Sequence, residues 1–248
     1  MAANARFDTT SIVRKLSSIS DLQQDELAAI EGLPIQASEI RADQDVVRDG
    51  DRPSRCCLLL EGYACTYQVT GEGKRQIMAF HIAGDIPDLQ SLHLRVLDVS
   101  ISTLTPCKVG FVQHETLRDL CLRFPRIGSA LWRETLIDAA IFRAWIANVG
   151  RRDGFSRAAH ILCEMVVRLR AVGLAQGVTC ELPITQTELA DALGLTPVHV
   201  NRVLQDLRAA RLITLKGGVL TVLDWDGLKQ AGDFDATYLH LTNGHAAA

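Results

Sequence analysis

The chain has 248 residues, 48% of them hydrophobic, with a formal net charge of −3. That length supplies one large or two ordinary domains with cores of their own, and no apolar run approaches the ~20 residues of a membrane span. The N-terminus, MAANARFDTTSIVRKL, lacks the apolar stretch of a secretion signal, so the expected location is the cytoplasm.

The seven cysteines are Cys56, Cys57, Cys65, Cys107, Cys121, Cys163 and Cys180, with no C-x-x-C pair and no Cys/His array at zinc spacing. Reduced thiols acting as small buried apolar groups are expected, with no metal and no cofactor. Adjacent Cys56 and Cys57, if in a strand, point to opposite faces and do not share one metal.

In chain order, the stretch TTSIVRKLSSISDLQQDELAAIEG predicts short helices, with Ser20-Asp21 capping the second. From Gln36 to about His114 the texture is strand-like. RCCLLLEGYACTYQV, RQIMAFHIAG and DVSISTLTPCKVGFV are separated by turns at Gly50, Gly62, Gly71, Gly73 and Gly84, which predicts an antiparallel barrel or roll.

Pro125 and Gly150 bound a long helix that is apolar on more than one stripe, including Leu131, Leu136, Ile137, Ala140, Ile141, Ala144 and Trp145. Two apolar stripes need two partners. One is the chain's own roll; the other is either a second copy of the helix or more of the same chain. Beyond a hinge near Gly150–Asp153, residues 151–230 hold ten Lys/Arg against eight Asp/Glu, a mildly basic balance in an acidic chain. Arg151, Arg152, Arg157, Arg168 and Arg170 read mostly as a solvated helix face.

The most informative stretch is TELADALGLTPVHVNRVLQDLRAARLI. Thr185-Gln186-Thr187-Glu188 has the form of a capping box at a helix start, and Gly194 suits the positive φ that ends a helix. Thr196 then caps a second helix, with Pro197 at its first position, where a missing N–H costs nothing. Val200, Val203, Leu204 and Leu207 form its inward stripe, which turns Val198, Arg202 and Gln205 outward. Ala190 is small enough for the helices to cross closely. RLITLKGGVLTVLDW follows as two strands around Lys216-Gly217-Gly218, so the whole predicts a winged helix-turn-helix.

These residues closely resemble the DNA-binding end of the Crp/Fnr transcription regulators, and GEGKRQIMAFHIAGDI resembles part of that family's cyclic-nucleotide-binding roll. The resemblance implies an α+β chain: an N-terminal antiparallel β-roll sensor over 1–124, a dimerisation helix and hinge over 125–150, and a winged helix-turn-helix over 151–248. It implies a homodimer on double-stranded DNA of two-fold related sequence, with RNA polymerase as a further partner and no membrane. By that resemblance Gln186, Thr187, Thr196, Pro197, Val198, His199, Arg202 and Lys216 face DNA, with Arg202 reading guanine. Val198 stands where many relatives carry glutamate, and Pro197 replaces a polar residue.

Nucleotide-binding relatives complete a phosphate cassette with an Arg-Ser pair after Gly-Asp/Glu. Here Gly84-Asp85 is present, but the Arg-Ser pair falls on Leu97-Asp98 in one register and on Arg95-Val96 in the other. Pro87 also removes a backbone donor. The effector candidates are Gly84, Asp85 and Arg95, and no tight binding of cyclic AMP is expected. The iron–sulfur sensor of the Fnr branch has no counterpart, since no cysteine precedes Cys56. The His160/Cys163 pair, at helical spacing, reads as core rather than as a catalytic dyad, and no enzyme is expected. The alternative is a sensing module that acts through a protein partner with little specific DNA binding.

Overall fold

The computed structural model describes residues 9–242. The stretch MAANARFD, read above for a leader, and residues 243–248 of the last expected domain lie outside the described residues. The chain divides into two compact units: one takes in the chain through Thr66 together with Phe80–Thr135, the other Tyr67–Ala79 and the chain from Leu136 onward.

The first unit begins with helices α1 (Thr10–Ile19) and α2 (Gln24–Glu31). The second starts later than Ser20-Asp21 predicts, because the Gln23 N–H donates to Glu26 Oε2 at 2.7 Å and sets the cap there. Seven strands follow in the chain: β1 (Gln36–Ile40), β2 (Asp45–Val47), β3 (Arg55–Glu61), β4 (Ala64–Val69), β5 (Arg75–His81), β6 (Ser100–Thr103) and β7 (Cys107–Gln113), of which the part of β4 and β5 within Tyr67–Ala79 belongs to the second unit. They form antiparallel sheets ordered β1-β7-β3 and β2-β6-β4-β5. In β3 the whole run Cys56–Leu60 is buried, so this strand is covered on both faces. One face meets a core of Val47, Leu97, Ile101, Cys107 and Val109. Gly110, paired with both Ala37 and Leu58, has no room for a side chain, since a Cβ there would lie 2.5 Å from Ile35 Cγ2.

Helix α3 (His114–Arg123) closes the roll, and α4 (Pro125–Arg151) leaves it. The helix α1 lies on the loop after β5: Lys15 is buried and places its Nζ 2.9 Å from both Asp85 and Glu134. Lys15 is the hinge of this cluster, because removing it leaves two buried carboxylates without their shared cation.

The second unit is built on α5 (Gly154–Ala171), nearly every residue of which is buried from Ala158 to Leu169. The Asp153 carboxylate caps it, accepting from Ser156 N at 2.9 Å. Around it stand a four-stranded sheet ordered β10-β11-β9-β8, formed by β8 (Ala175–Gln176), β9 (Thr179–Glu181), β10 (Ile213–Lys216) and β11 (Val219–Val222), and helices α6 (Gln186–Leu193), α7 (Pro197–Ala209) and α8 (Trp225–Gly232). A 3₁₀ turn follows at Ala236–Leu239. Gly232 lets α8 end directly on the α5 backbone: a Cβ there would meet His160 N at 2.6 Å.

The arginine run differs from the solvated face predicted for it. Arg168 is buried and donates to Glu164 Oε1 at 3.2 Å, Arg157 donates to the carbonyls of Arg152 and Leu193, and Arg152 pairs with Asp233 at 2.9 Å. Arg152 and Arg157 thus tie separate segments together and Arg168 makes a buried pair within α5, so none of the three acts as a surface field.

The two apolar stripes of α4 are divided unequally. Leu131, Ile137, Ala140, Ile141 and Trp145 are buried, while Leu136 is exposed. Leu136 belongs to an outer row with Trp132, 63% exposed, and Ile146, 72% exposed.

Candidate nucleic-acid interface

The helix-turn-helix is assembled from short-range interactions. The Thr185 hydroxyl accepts from Glu188 N at 3.2 Å, and Glu188 Oε2 accepts from Thr185 N at 2.6 Å, which satisfies two of the free donors at the start of α6. Gly194 ends α6 at φ 63°, ψ 38°, a left-handed conformation that a residue with a side chain adopts only at a cost. Leu195 N returns to Ala190 O at 3.0 Å, which makes the turn tight. Thr196 Oγ1 accepts from His199 N at 3.2 Å, and Pro197 opens α7. Ala190 is buried where the two helices cross.

Helix α7 buries Val200, Val203, Leu204 and Leu207 and leaves Pro197, Val198, His199, Arg202 and Gln205 exposed. Val198 is 74% exposed. Gln186 and Thr187 stand exposed in the first turn of α6. The hairpin of β10 and β11 turns through Gly217 and Gly218, at φ 60° and 77°, the double positive φ of a type I′ turn, with Lys216 exposed beside it. Arg208 donates to Leu215 O at 3.2 Å and ties α7 to this wing.

The structure thus gathers Pro197, Val198, His199 and Arg202 on one outward surface, with Thr196 at its start, Gln186 and Thr187 beside it, and Lys216 on the wing. His199 also turns Nε2 toward the start of α5, where a Cβ on Gly154 would approach it to 3.1 Å. One further residue joins the group: Asn201, three residues beyond Val198, donates from Nδ2 to Gln186 Oε1 at 3.1 Å. Its helical spacing marks its face, but its partner on α6 is a tertiary feature that spacing does not disclose.

The helix α6 is also held from behind. Arg75, near the tip of the β4–β5 hairpin, donates to Asp191 Oδ2 at 2.7 Å, and Gln76 Nε2 reaches Ala192 O at 3.3 Å.

The effector candidates differ in setting. Gly84 has φ 103°, and the space where its Cβ would stand is taken by Ser11 O, 2.6 Å away. Asp85 is buried and engaged by Lys15 and by Ile82 N, while Arg95 is exposed on the following loop. Leu97 is wholly buried and exchanges backbone hydrogen bonds with Gly50 and Asp51.

Below Pro87 the loop is internally satisfied. Asp88 Oδ1 accepts from Cys57 N at 2.8 Å, and Ser91 Oγ lies 2.9 Å from His114 Nε2 and 3.5 Å from Cys56 Sγ. Burial raises the Asp88 carboxyl to about 6, partly opposed by the Cys57 N–H. Burial also pushes the Cys56 and Cys163 thiols up to about 12, so neither carries appreciable thiolate at neutral pH. His160 and Cys163 both lie in the core, with His160 Nδ1 3.0 Å from Gly232 O. No group of His, Cys, Asp and Glu among the described residues is arranged to hold a metal, and no helix among them is long and apolar enough to cross a membrane.

Comparison with known proteins places both halves. A cyclic nucleotide-binding domain model matches residues 37–124, and a Crp-like helix-turn-helix domain model matches residues 156–231. The chain is 26% identical over 209 residues to the transcriptional activator protein FnrL of Cereibacter sphaeroides, covering 83% of each chain. It is 23% identical to the fumarate and nitrate reduction regulatory protein of Escherichia coli, over 84% of this chain and 83% of that one. Among solved structures, FixK2 from Bradyrhizobium japonicum superposes with a TM-score of 0.73 at 22% identity, over 82% of this chain and 99% of that one. With a cyclic-nucleotide-binding-type roll, a long connecting helix and a Crp-like winged helix-turn-helix in the expected order, the chain belongs to the Crp/Fnr family of DNA-binding transcription regulators.

Proposed function

We propose that the protein binds a two-fold related promoter site as a homodimer, with α7 of each subunit in the major groove. The observation that carries this reading is the outward face of α7: a capped, well-anchored helix start that exposes Val198 and Arg202 to solvent instead of to any core. Arg202 reads a guanine through O6 and N7, which its forked donors match, and Val198 meets a thymine methyl. Gln186, Thr187, Thr196 and Lys216 hold phosphates and fix the register, while Pro197 and His199 flank the base-reading row.

The outer row Trp132, Leu136 and Ile146 on α4 supplies the seam between subunits, since apolar side chains this exposed gain most by meeting their own copy across a two-fold axis. RNA polymerase is the expected protein partner at the promoter, and the cytoplasm the expected compartment. Because α1 covers Gly84-Asp85 while Arg95 is exposed on the following loop, we read the roll as a scaffold that does not take up cyclic AMP or cyclic GMP at this loop.

Selection of binding sites from random DNA tests the proposal. The expected product is an inverted repeat whose half-sites are about one helical turn apart. Failure to enrich any sequence would overturn it in favour of a module that acts through a protein partner.

A further inference from the structure

The amide pair between α6 and α7 has a consequence for sequence selectivity. Resting on the reading of α7 as the base-reading helix, we propose that Asn201 reads an adenine in each half-site and that Gln186 is its positioning residue, so that one phosphate contact and one base contact act as a single unit.

Asn201 lies three residues after Val198 and four before Gln205, within the outward row of α7. Asparagine is a poor residue for a helix interior, since its amide competes for backbone groups. Here that tendency is suppressed by a defined partner: Nδ2 donates to Gln186 Oε1 at 3.1 Å, across the turn that joins the two helices. Counting groups shows what remains. An asparagine amide has two N–H donors and one carbonyl oxygen. With Gln186 on the N–H that points away from Oδ1, the other N–H and Oδ1 form an adjacent donor–acceptor pair. That pair matches adenine N7 and N6–H on the major-groove edge. It does not match guanine, which presents two acceptors there and which Arg202, a donor only, is equipped to read. Meanwhile the hydrogen bond uses only the carbonyl of Gln186. Both donors on its Nε2 remain for a phosphate oxygen, at a helix start where an anion is favoured.

Gln186 therefore does two things at once. It anchors to the backbone of the duplex, and it fixes the rotation of the Asn201 amide. Without it, the amide can flip and present the wrong edge.

The test is competition binding on the selected site and on every single base-pair variant of one half-site, for wild type, Asn201→Ala, Gln186→Ala, the double variant and Asn201→Asp. Asn201→Ala should lose about 10- to 100-fold discrimination at one A·T pair and none elsewhere. Gln186→Ala should weaken binding to all sequences and also lose part of the discrimination at that same pair. The double variant should discriminate no worse there than Asn201→Ala alone. Asn201→Asp, which can only accept, should shift the preference at that pair toward cytosine.

The inference is overturned if Asn201→Ala keeps every preference of the wild type, or if Gln186→Ala leaves discrimination at that pair intact. A wild-type protein without sequence preference would instead defeat the underlying reading of α7, a distinguishable result.

Discussion

Tyr238, in the last described turn, donates a 2.7 Å hydrogen bond to Glu164 Oε2, the oxygen that the Trp145 indole N–H also reaches, at 3.0 Å. One buried carboxylate thus joins α4, α5 and the Ala236–Leu239 turn, with Arg168 on its other oxygen. Burial, then the Glu164 charge, pushes the Tyr238 hydroxyl well above its ordinary pKa, so it remains a donor at any working pH. Replacing Glu164 by alanine strips Tyr238 and Trp145 of their shared acceptor and deprives the buried Arg168 of its carboxylate. A loss of about 3–5 kcal/mol in denaturant unfolding is expected. Tyr238→Phe should cost about 1–2 kcal/mol. A smaller effect for Glu164→Ala than for Tyr238→Phe would mean that the network is not the anchor it looks to be.

The division of α4 into inner and outer stripes separates assembly from folding. Leu136→Glu or Ile146→Glu places a charge in the proposed seam, and should shift the protein toward monomer in sedimentation at micromolar concentration while leaving the melting temperature nearly unchanged. Ile141, 3% exposed, lies on the inner stripe. Ile141→Glu buries an ion without a partner and should cost about 3 kcal/mol or more in stability. Equal effects of the two kinds of variant on both measurements would contradict this division.

Asp88 gives a pH dependence of known sign. Its carboxyl is held at about 6 instead of the usual 3.8 because it is buried. Between those values the folded protein binds more protons than the unfolded chain, so stability falls as pH rises through this window. Above about 6 the full penalty applies, about 3 kcal/mol. Asp88→Asn keeps an acceptor for the Cys57 N–H and removes the charge. The variant should unfold at higher urea concentration than wild type at pH 7, with the difference vanishing near pH 4. Parallel curves from pH 4 to 8 would show that Asp88 does not bear this charge penalty.

Arg202 stands on the face of α7 opposite its buried stripe, so Arg202→Ala should melt like wild type. Its loss in DNA binding, ~1–3 kcal/mol per half-site, should be concentrated at one guanine position. Equal loss on every sequence would make Arg202 a phosphate contact, and early melting would make it structural.

The winged helix-turn-helix is legible in the sequence because its signals are local. Thr185 and Glu188 are three residues apart, Gly194 and Pro197 mark the turn, and Gly217-Gly218 mark the wing. The roll is legible in outline for the same reason, its strands alternating with glycine turns between Gln36 and Gln113. What spacing does not carry are relationships between distant residues. Lys15 reaches Asp85 and Glu134, Glu164 collects Trp145 and Tyr238, and Asn201 meets Gln186, each a partner chosen by packing. The arginines after Gly150 follow the same rule: composition gives their number, while only the fold decides that Arg157 and Arg168 point inward. The two stripes of α4 are visible as periodicity, yet which of them faces outward depends on what each meets.

The fit of α1 against Gly84 also bears on how this regulator could change over time. Any ligand drawn to the Gly84-Asp85 loop would have to compete with a segment of the same chain, present at fixed, high local concentration and secured by Lys15. Small-anion binding at that loop would therefore take at least two separate alterations, one to loosen the helix and one to build an anion site. Loosening alone gives up the pairing of Lys15 with Asp85 and Glu134, so the first step is disadvantageous without the second.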